Sequence, residues 1–149
     1  MVSVRGSAFT VADDAVLTIN APNTYAFYTD TAAKPAFRFG ANSSTRISTK
    51  NGLFYASGTG AHIASSCKLD TGATLYVTAS ANNGVPLFKC GGEFTVEENA
   101  SLFLVMPAKG SSPLLYFSST AVPTFNSPKN VLLYSDGGKV FSFAAGSAS

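Results

Sequence analysis

The stretch Phe94–Val105, FTVEENASLFLV, decides how this chain is read, because Phe9–Asn20, FTVADDAVLTIN, has almost the same wording. In both, an apolar–any–apolar triplet is followed by about five loop-forming residues and a second triplet of the same kind. The pattern occurs five times without a gap: Phe9, Val11, Leu17, Ile19; Phe37, Phe39, Thr45, Ile47; Cys67, Leu69, Leu75, Val77; Phe94, Val96, Leu102, Leu104; and Pro123, Phe125, Val131, Leu133. The copies begin at 9, 37, 67, 94 and 123, so the steps are 28, 30, 27 and 29 residues.

Each copy continues through a polar stretch with Gly or Pro to a third short apolar patch. These patches are YAFY (Tyr25–Tyr28), LFYA (Leu53–Ala56), PLFKC (Pro86–Cys90), LLYF (Leu114–Phe117) and VFSF (Val140–Phe143). Alternation with period two puts the apolar side chains on one face of a strand. No segment keeps helical spacing over the ~11 residues that a helix requires. One unit is therefore three short strands and three turns, too little to bury its own inner face. Stacking units buries it, and each unit then hydrogen-bonds to the next. The expectation is an all-β chain, a parallel β-helix (a three-sheet solenoid) of about five rungs, ~4.8 Å apart. Phe9, Phe37, Cys67, Phe94 and Pro123 should lie above one another, as should Leu17, Thr45, Leu75, Leu102 and Val131. A β-sandwich also has short, evenly spaced strands, but does not normally repeat one twelve-residue phrase five times. One β-helix domain is expected over residues 1–143, with 144–149 a flexible tail or linker.

Composition fits this picture. Of 149 residues, 46 % are hydrophobic and only 12 % charged, and the net charge is +2. The low charge is made up by Gly, Ser, Thr, Asn and Ala, as in extracellular β proteins. Lys and Arg are scattered, whereas a nucleic-acid groove needs clustered cations. Apolar runs reach about five residues, far below the ~20 of a membrane-spanning helix. The expected partners therefore include no nucleic acid, and no membrane insertion is expected.

No catalytic constellation emerges. His62, the sole histidine, lies in the longest insertion, SGTGAHIASS, with no nucleophile and acid placed beside it by sequence. It reads as a loop or edge residue. Asp13-Asp14 and Glu97-Glu98 occupy matching turns but should be roughly 14 Å apart (three rung spacings), so they read as solvated turns rather than a calcium site. Cys67 takes the place of a core phenylalanine and Cys90 sits in the third patch of the same unit. Two buried thiols, or a disulfide across one rung, both fit. Two cysteines without a nearby histidine do not make a zinc site, and no metal or cofactor is expected. Outward Thr10, Thr18, Ser48 and Thr95 do not form an ice-binding array, because Arg38, Lys68, Tyr76 and Phe103 interrupt them. Tyr76 and Phe103 are the candidate ligand-binding residues: they take the outward place in the second strand of neighbouring rungs, where exposed rings can stack on sugars or mark a protein contact. Tyr55, Tyr116 and Tyr134 are further candidates for exposed rings.

At FTVEENASLFLV, SSPLLYF and FNSPKNVLLYS, between Phe94 and Ser135, the sequence resembles the pectate lyase-like adhesive domain of Gram-positive bacterial surface proteins. The distinctive part is Phe125, Asn126, Pro128, Lys129, Val131, Leu132, Leu133 and Tyr134, matching that family's F-N-x-P-K-x-V-L-L-Y phrase. The resemblance implies a right-handed β-helix at the cell surface, within long, wall-attached proteins that mediate adhesion, and it implies no catalytic residues. The expected function is thus a non-catalytic cell-surface adhesion or spacer module of a longer bacterial protein, with a cell-surface glycan, a host protein or neighbouring domains of the parent chain as partners. The expected location is extracellular, cell-surface or cell-wall attached. VSVRGSAFT after Met1 lacks the apolar middle of a signal peptide, and no LPxTG-like sorting motif occurs, which fits a fragment. The alternative is a β-helix related to polysaccharide lyases or hydrolases, with Arg38 and Arg46 of one rung as its basic residues.

Overall fold

The computed structural model of the protein describes residues 1–4, 6–29, 35–56, 64–82, 84–118 and 123–144; His62, the 145–149 tail and the side chain of Tyr55 lie outside that description. Strands, numbered in chain order, carry the fold on three faces. Face one holds β2 (Ala8–Val11), β5 (Ala36–Phe39), β8 (Ser66–Leu69), β11 (Phe94–Val96) and β14 (Pro123–Phe125). Face two holds β3 (Val16–Ala21), β6 (Ser44–Thr49), β9 (Thr74–Ala79), β12 (Ser101–Met106) and β15 (Asn130–Ser135). Face three holds β1 (Val2–Val4), β4 (Phe27–Thr29), β7 (Phe54–Ala56), β10 (Phe88–Cys90), β13 (Leu115–Phe117) and β16 (Phe141–Phe143). Among the described residues there is no helix, and all the paired strands run parallel. The chain is a β-solenoid, with four full coil steps between the first and last strands of faces one and two.

The register follows the repeat residue for residue. On face one Phe9 pairs with Phe37, Phe37 with Cys67, Cys67 with Phe94 and Phe94 with Pro123. On face two Leu17, Thr45, Leu75, Leu102 and Val131 form one column. Thr45, Leu75 and Leu102 are buried within that column. Each large side chain so buried contributes about 1.5–3 kcal/mol.

Face three departs from the expectation in two ways. It is two three-stranded sheets, β1-β4-β7 and β10-β13-β16, rather than one. Between them, among the described residues, Leu53 N–H donates to the Leu87 carbonyl at 2.9 Å, and Ala64 bridges to Cys90 in parallel. It also begins with β1, a strand ahead of the first full repeat, where Val2, Ser3 and Val4 pair with Phe27, Tyr28 and Thr29.

Phenylalanines from faces one and three meet along the axis. Successive ring centroids are 5.0 Å apart for Phe9–Phe27, 5.1 Å for Phe27–Phe37, 4.9 Å for Phe37–Phe54, 5.2 Å for Phe54–Phe88 and 5.5 Å for Phe88–Phe94. The line continues through Phe117 (5.9 Å from Phe94) to Phe143 (5.4 Å from Phe117). Cys67 interrupts the phenylalanine column of face one, and the Phe54–Phe88 contact carries the line past it. Most of these pairs are edge-on or tilted, the arrangement that ring quadrupoles favour.

The corner between faces one and two explains the fixed internal spacing. A left-handed residue recurs at the same place in four rungs: Asp14 (φ 58°), Asn42 (φ 55°), Gly72 (φ 72°) and Asn99 (φ 59°). Asp, Asn and Gly are the residues that tolerate this conformation. It aims each amide along the axis, so that Asp14, Asn42, Gly72 and Asn99 donate to Ala41, Thr71, Glu98 and Ser127 of the next rung at 2.8, 3.0, 3.0 and 3.1 Å. In the fifth rung Pro128 stands at this place. Its ring locks φ near −65°, and the left-handed residue is Ser127 instead (φ 49°).

Candidate functional site

The outward positions of face two are set by the same pleat that buries Leu102 and Leu104. They form a central column of Thr18, Arg46, Tyr76, Phe103 and Leu132, flanked by Asn20, Ser48, Thr78, Val105 and Tyr134. The surface therefore changes along the axis from polar to apolar. Tyr76 and Phe103, the two rings expected from sequence, are brought together: their centroids are 6.0 Å apart at 39°, and both are half-buried. The Arg46 guanidinium carbon lies 4.7 Å from the Tyr76 centroid, a cation–π contact. Leu132 (48 % exposed) continues the column beyond Phe103, and Tyr134 (49 %) stands beside Val105. The result is a strip of rings and aliphatic groups, with one guanidinium at its polar end, on a parallel sheet. Tyr134 thus joins the strip, whereas Tyr116 is on face three.

Leu132 and Tyr134 extend this site beyond the expected pair. The signal for them was present: both fall on outward places of the fifth copy.

The acidic turns are not merely solvated. Asp13 Oδ1 accepts from Ala41 N–H at 3.0 Å and pairs with Arg38 at 3.3 Å. Arg38 also meets Asp70 Oδ2 at 2.6 Å, and Lys68 bridges Asp70 and Glu97 at 3.4 Å each. Asn126 donates to Glu97 Oε2 at 2.9 Å. A ladder of alternating charge thus climbs four rungs at the corner of face one, and the neutral Asn126 of the fifth ends it. The Asn126 amide, and after it Lys68, hold the Glu97 carboxyl below its usual value, while Glu97 and Asp70 raise the Lys68 ammonium. Each carboxylate of the ladder is occupied by a cation or an amide. Among the described residues no three His, Cys, Asp or Glu side chains are grouped to hold a metal ion.

Arg38 and Arg46, the basic pair of the alternative reading, face different ways: Arg38 is held in the ladder and Arg46 lies over Tyr76. Cys67 and Cys90 are both buried free thiols, not a disulfide. Burial pushes both thiols up from their ordinary range, and Cys90 donates to the carbonyls of Gly92 (3.4 Å) and Glu93 (3.5 Å). Among the described residues no helix is long and apolar enough to cross a membrane. No protein-family model matches the chain, and neither a curated protein sequence nor a solved structure matches it.

Proposed function

We propose that this chain is a non-catalytic binding and spacing module of a bacterial surface protein, which presents the Tyr76–Phe103 strip to a glycan. The observation that carries the reading is the strip itself: adjacent half-exposed rings on one sheet face, with a guanidinium at one end and Leu132 and Tyr134 at the other. Rings on such a face pack against the C–H face of sugars while the guanidinium takes hydroxyl oxygens. The sequence likeness to adhesive domains of wall-attached proteins points the same way, and the extracellular setting is proposed on that likeness. A solenoid suits a spacer because its length grows by one rung for each repeat while its cross-section stays constant.

A glycan array probed with the intact chain tests this, beside a chain carrying Tyr76→Ala and Phe103→Ala together. The expected result is binding to a set of surface glycans that falls about tenfold or more in the double variant, since stacked rings are among the strongest single contributors to such contacts. Binding that is indifferent to both substitutions removes the strip from the account. Capture of a host protein through these same rings, with no glycan bound, keeps the face and changes the partner class. Calcium-dependent cleavage of a polyuronate by the purified chain would overturn the non-catalytic reading in favour of a lyase.

A further inference from the structure

Face three carries a cleft that neither the strip nor the charge ladder uses. Its volume is about 380 Å³, and its lining includes Phe54, Val85, Pro86 and Pro113 together with Lys89 and Tyr116. Lys89 and Tyr116 are direct neighbours across β10 and β13, and Ser142 follows Tyr116 on β16. The Lys89 ammonium stands 5.2 Å from the centroid of the Tyr116 ring. Among the described residues Lys89 makes no ion pair, whereas Arg38 and Lys68 are both engaged by carboxylates. The cleft therefore holds one half-buried positive charge against a phenol and a shelf of proline and valine.

Hydrogen bonds tie the edge of the cleft to the next rung. Ser112, itself buried, receives Gly84 N–H on its Oγ at 2.8 Å and donates its own N–H to Asn82 Oδ1 at 3.0 Å. Asn82 also donates to the Ala108 carbonyl at 3.4 Å. Asn82 and Gly84 are thus both held by the next rung, and groups held before binding lose less freedom when a ligand arrives.

From charge complementarity and size we infer that this cleft binds a small ring-bearing carboxylate, with the carboxylate on Lys89 and the ring face on the Val85–Pro86–Pro113 shelf. The ammonium supplies the charge-assisted hydrogen bond. The volume is at the small end of ligand pockets, about 300–1,000 Å³, which fits one ring rather than a polymer chain. An acidic monosaccharide and an aromatic acid share this chemistry. The site is on a different face from the Tyr76–Phe103 strip and does not rest on that proposal.

An amide NMR titration of the intact chain with four separate probes tests the inference: acetate (charge without ring), glucose (ring without charge), glucuronate and benzoate. Glucuronate or benzoate should move the Gly84, Lys89, Tyr116 and Ser142 amides with a dissociation constant on the order of 1–10 mM. Acetate and glucose should bind at least about tenfold more weakly. Lys89→Met should remove the response and Lys89→Arg should keep it, with Tyr76→Ala/Phe103→Ala leaving it unchanged. Benzamide, a ring without charge, makes the same comparison on the unsubstituted chain. A response to benzoate alone identifies an aromatic acid, and to glucuronate alone an acidic sugar. The inference is overturned by no shift with either ring acid, by equal binding of glucose, acetate or benzamide, or by undiminished binding to the Lys89→Met chain.

Discussion

Replacing Leu102 by aspartate and, separately, its neighbour Phe103 by aspartate puts the same group one residue apart on β12 and asks the pleat to tell them apart. Leu102 is fully buried between Leu75 and Val131, with an exposure of 0 %. Leu102→Asp forfeits about 1.5–3 kcal/mol of apolar burial. It also places a carboxyl in a fully buried position between aliphatic neighbours. Held neutral near pH 7 against its ordinary value of about 3.9, that group costs about 4 kcal/mol more. The sum, about 6–7 kcal/mol, rivals the whole stability of a domain, about 5–15 kcal/mol. Phe103→Asp loses the 6.0 Å ring contact with Tyr76 and some strand preference, about 1–2 kcal/mol. Urea titration followed by circular dichroism reads both midpoints beside the parent chain. A second signature distinguishes burial from general damage. The buried carboxyl has a raised folded-state pKa, so its penalty is absent below the unfolded value and grows as pH rises towards the folded one. The gap between parent and Leu102→Asp should therefore narrow on acidification, and the gap for Phe103→Asp should not. Equal midpoint losses for the two chains, or a Leu102→Asp penalty independent of pH, would refute the inward and outward assignment and the stacked core with it.

Four further expectations follow from particular residues. Thr45 is buried in the aliphatic column with its Oγ1 unpaired, so Thr45→Val should raise the melting midpoint by the equivalent of about 1 kcal/mol; a fall would mean that the hydroxyl has a partner. At Gly40 a Cβ would come within 2.6 Å of the Asp13 nitrogen and 2.8 Å of the Ala12 carbonyl carbon, whereas at Gly6 it would meet nothing within 4 Å. Gly40→Ala should thus lower the midpoint by the equivalent of about 2 kcal/mol and Gly6→Ala should leave it nearly unchanged, as thermal melts would show. Glu97 has a depressed pKa, so its contribution is present above the ordinary carboxylate value of 4.5 and is lost as pH falls through the lower folded value. Glu97→Gln should flatten the acid limb of the stability profile in that window, and an identical limb would contradict the ladder. Cys67 and Cys90 should both resist a thiol reagent in the native chain and both react in urea; rapid labelling of the native protein would contradict their burial.

The repeat made the core legible, because inward ladders need only a fixed distance between triplets, and that distance is printed in the sequence. All five members of both predicted columns fall into place. The corner ladder was not legible. Its contacts run between rungs at different offsets, Arg38 reaching both up to Asp13 and down to Asp70, and nothing along the chain marks that reach. Asp13 and Glu97 therefore looked like isolated acids in water. The ring line along the axis was hidden for a similar reason: it passes between faces one and three, as at Phe37–Phe54 and Phe88–Phe94, and so joins strands that no single triplet brings together. β1 escaped because it precedes the first complete copy. Of the candidate site, Tyr76 and Phe103 were legible from alternation alone, while the cleft beside Lys89 depends on how Pro86 and Pro113 approach across rungs.

The backbone bonds between rungs all lie along the axis of the coil, and this decides how the molecule would yield if pulled by its two ends. Tension on such an arrangement does not load a sheet all at once in shear. It opens the terminal rung like the end of a zip, then the next. With 27–30 residues per rung, each opening would free a thread of roughly 90–105 Å. A rod of this kind lengthens in even steps at modest force, and it re-coils from whichever turns remain wound.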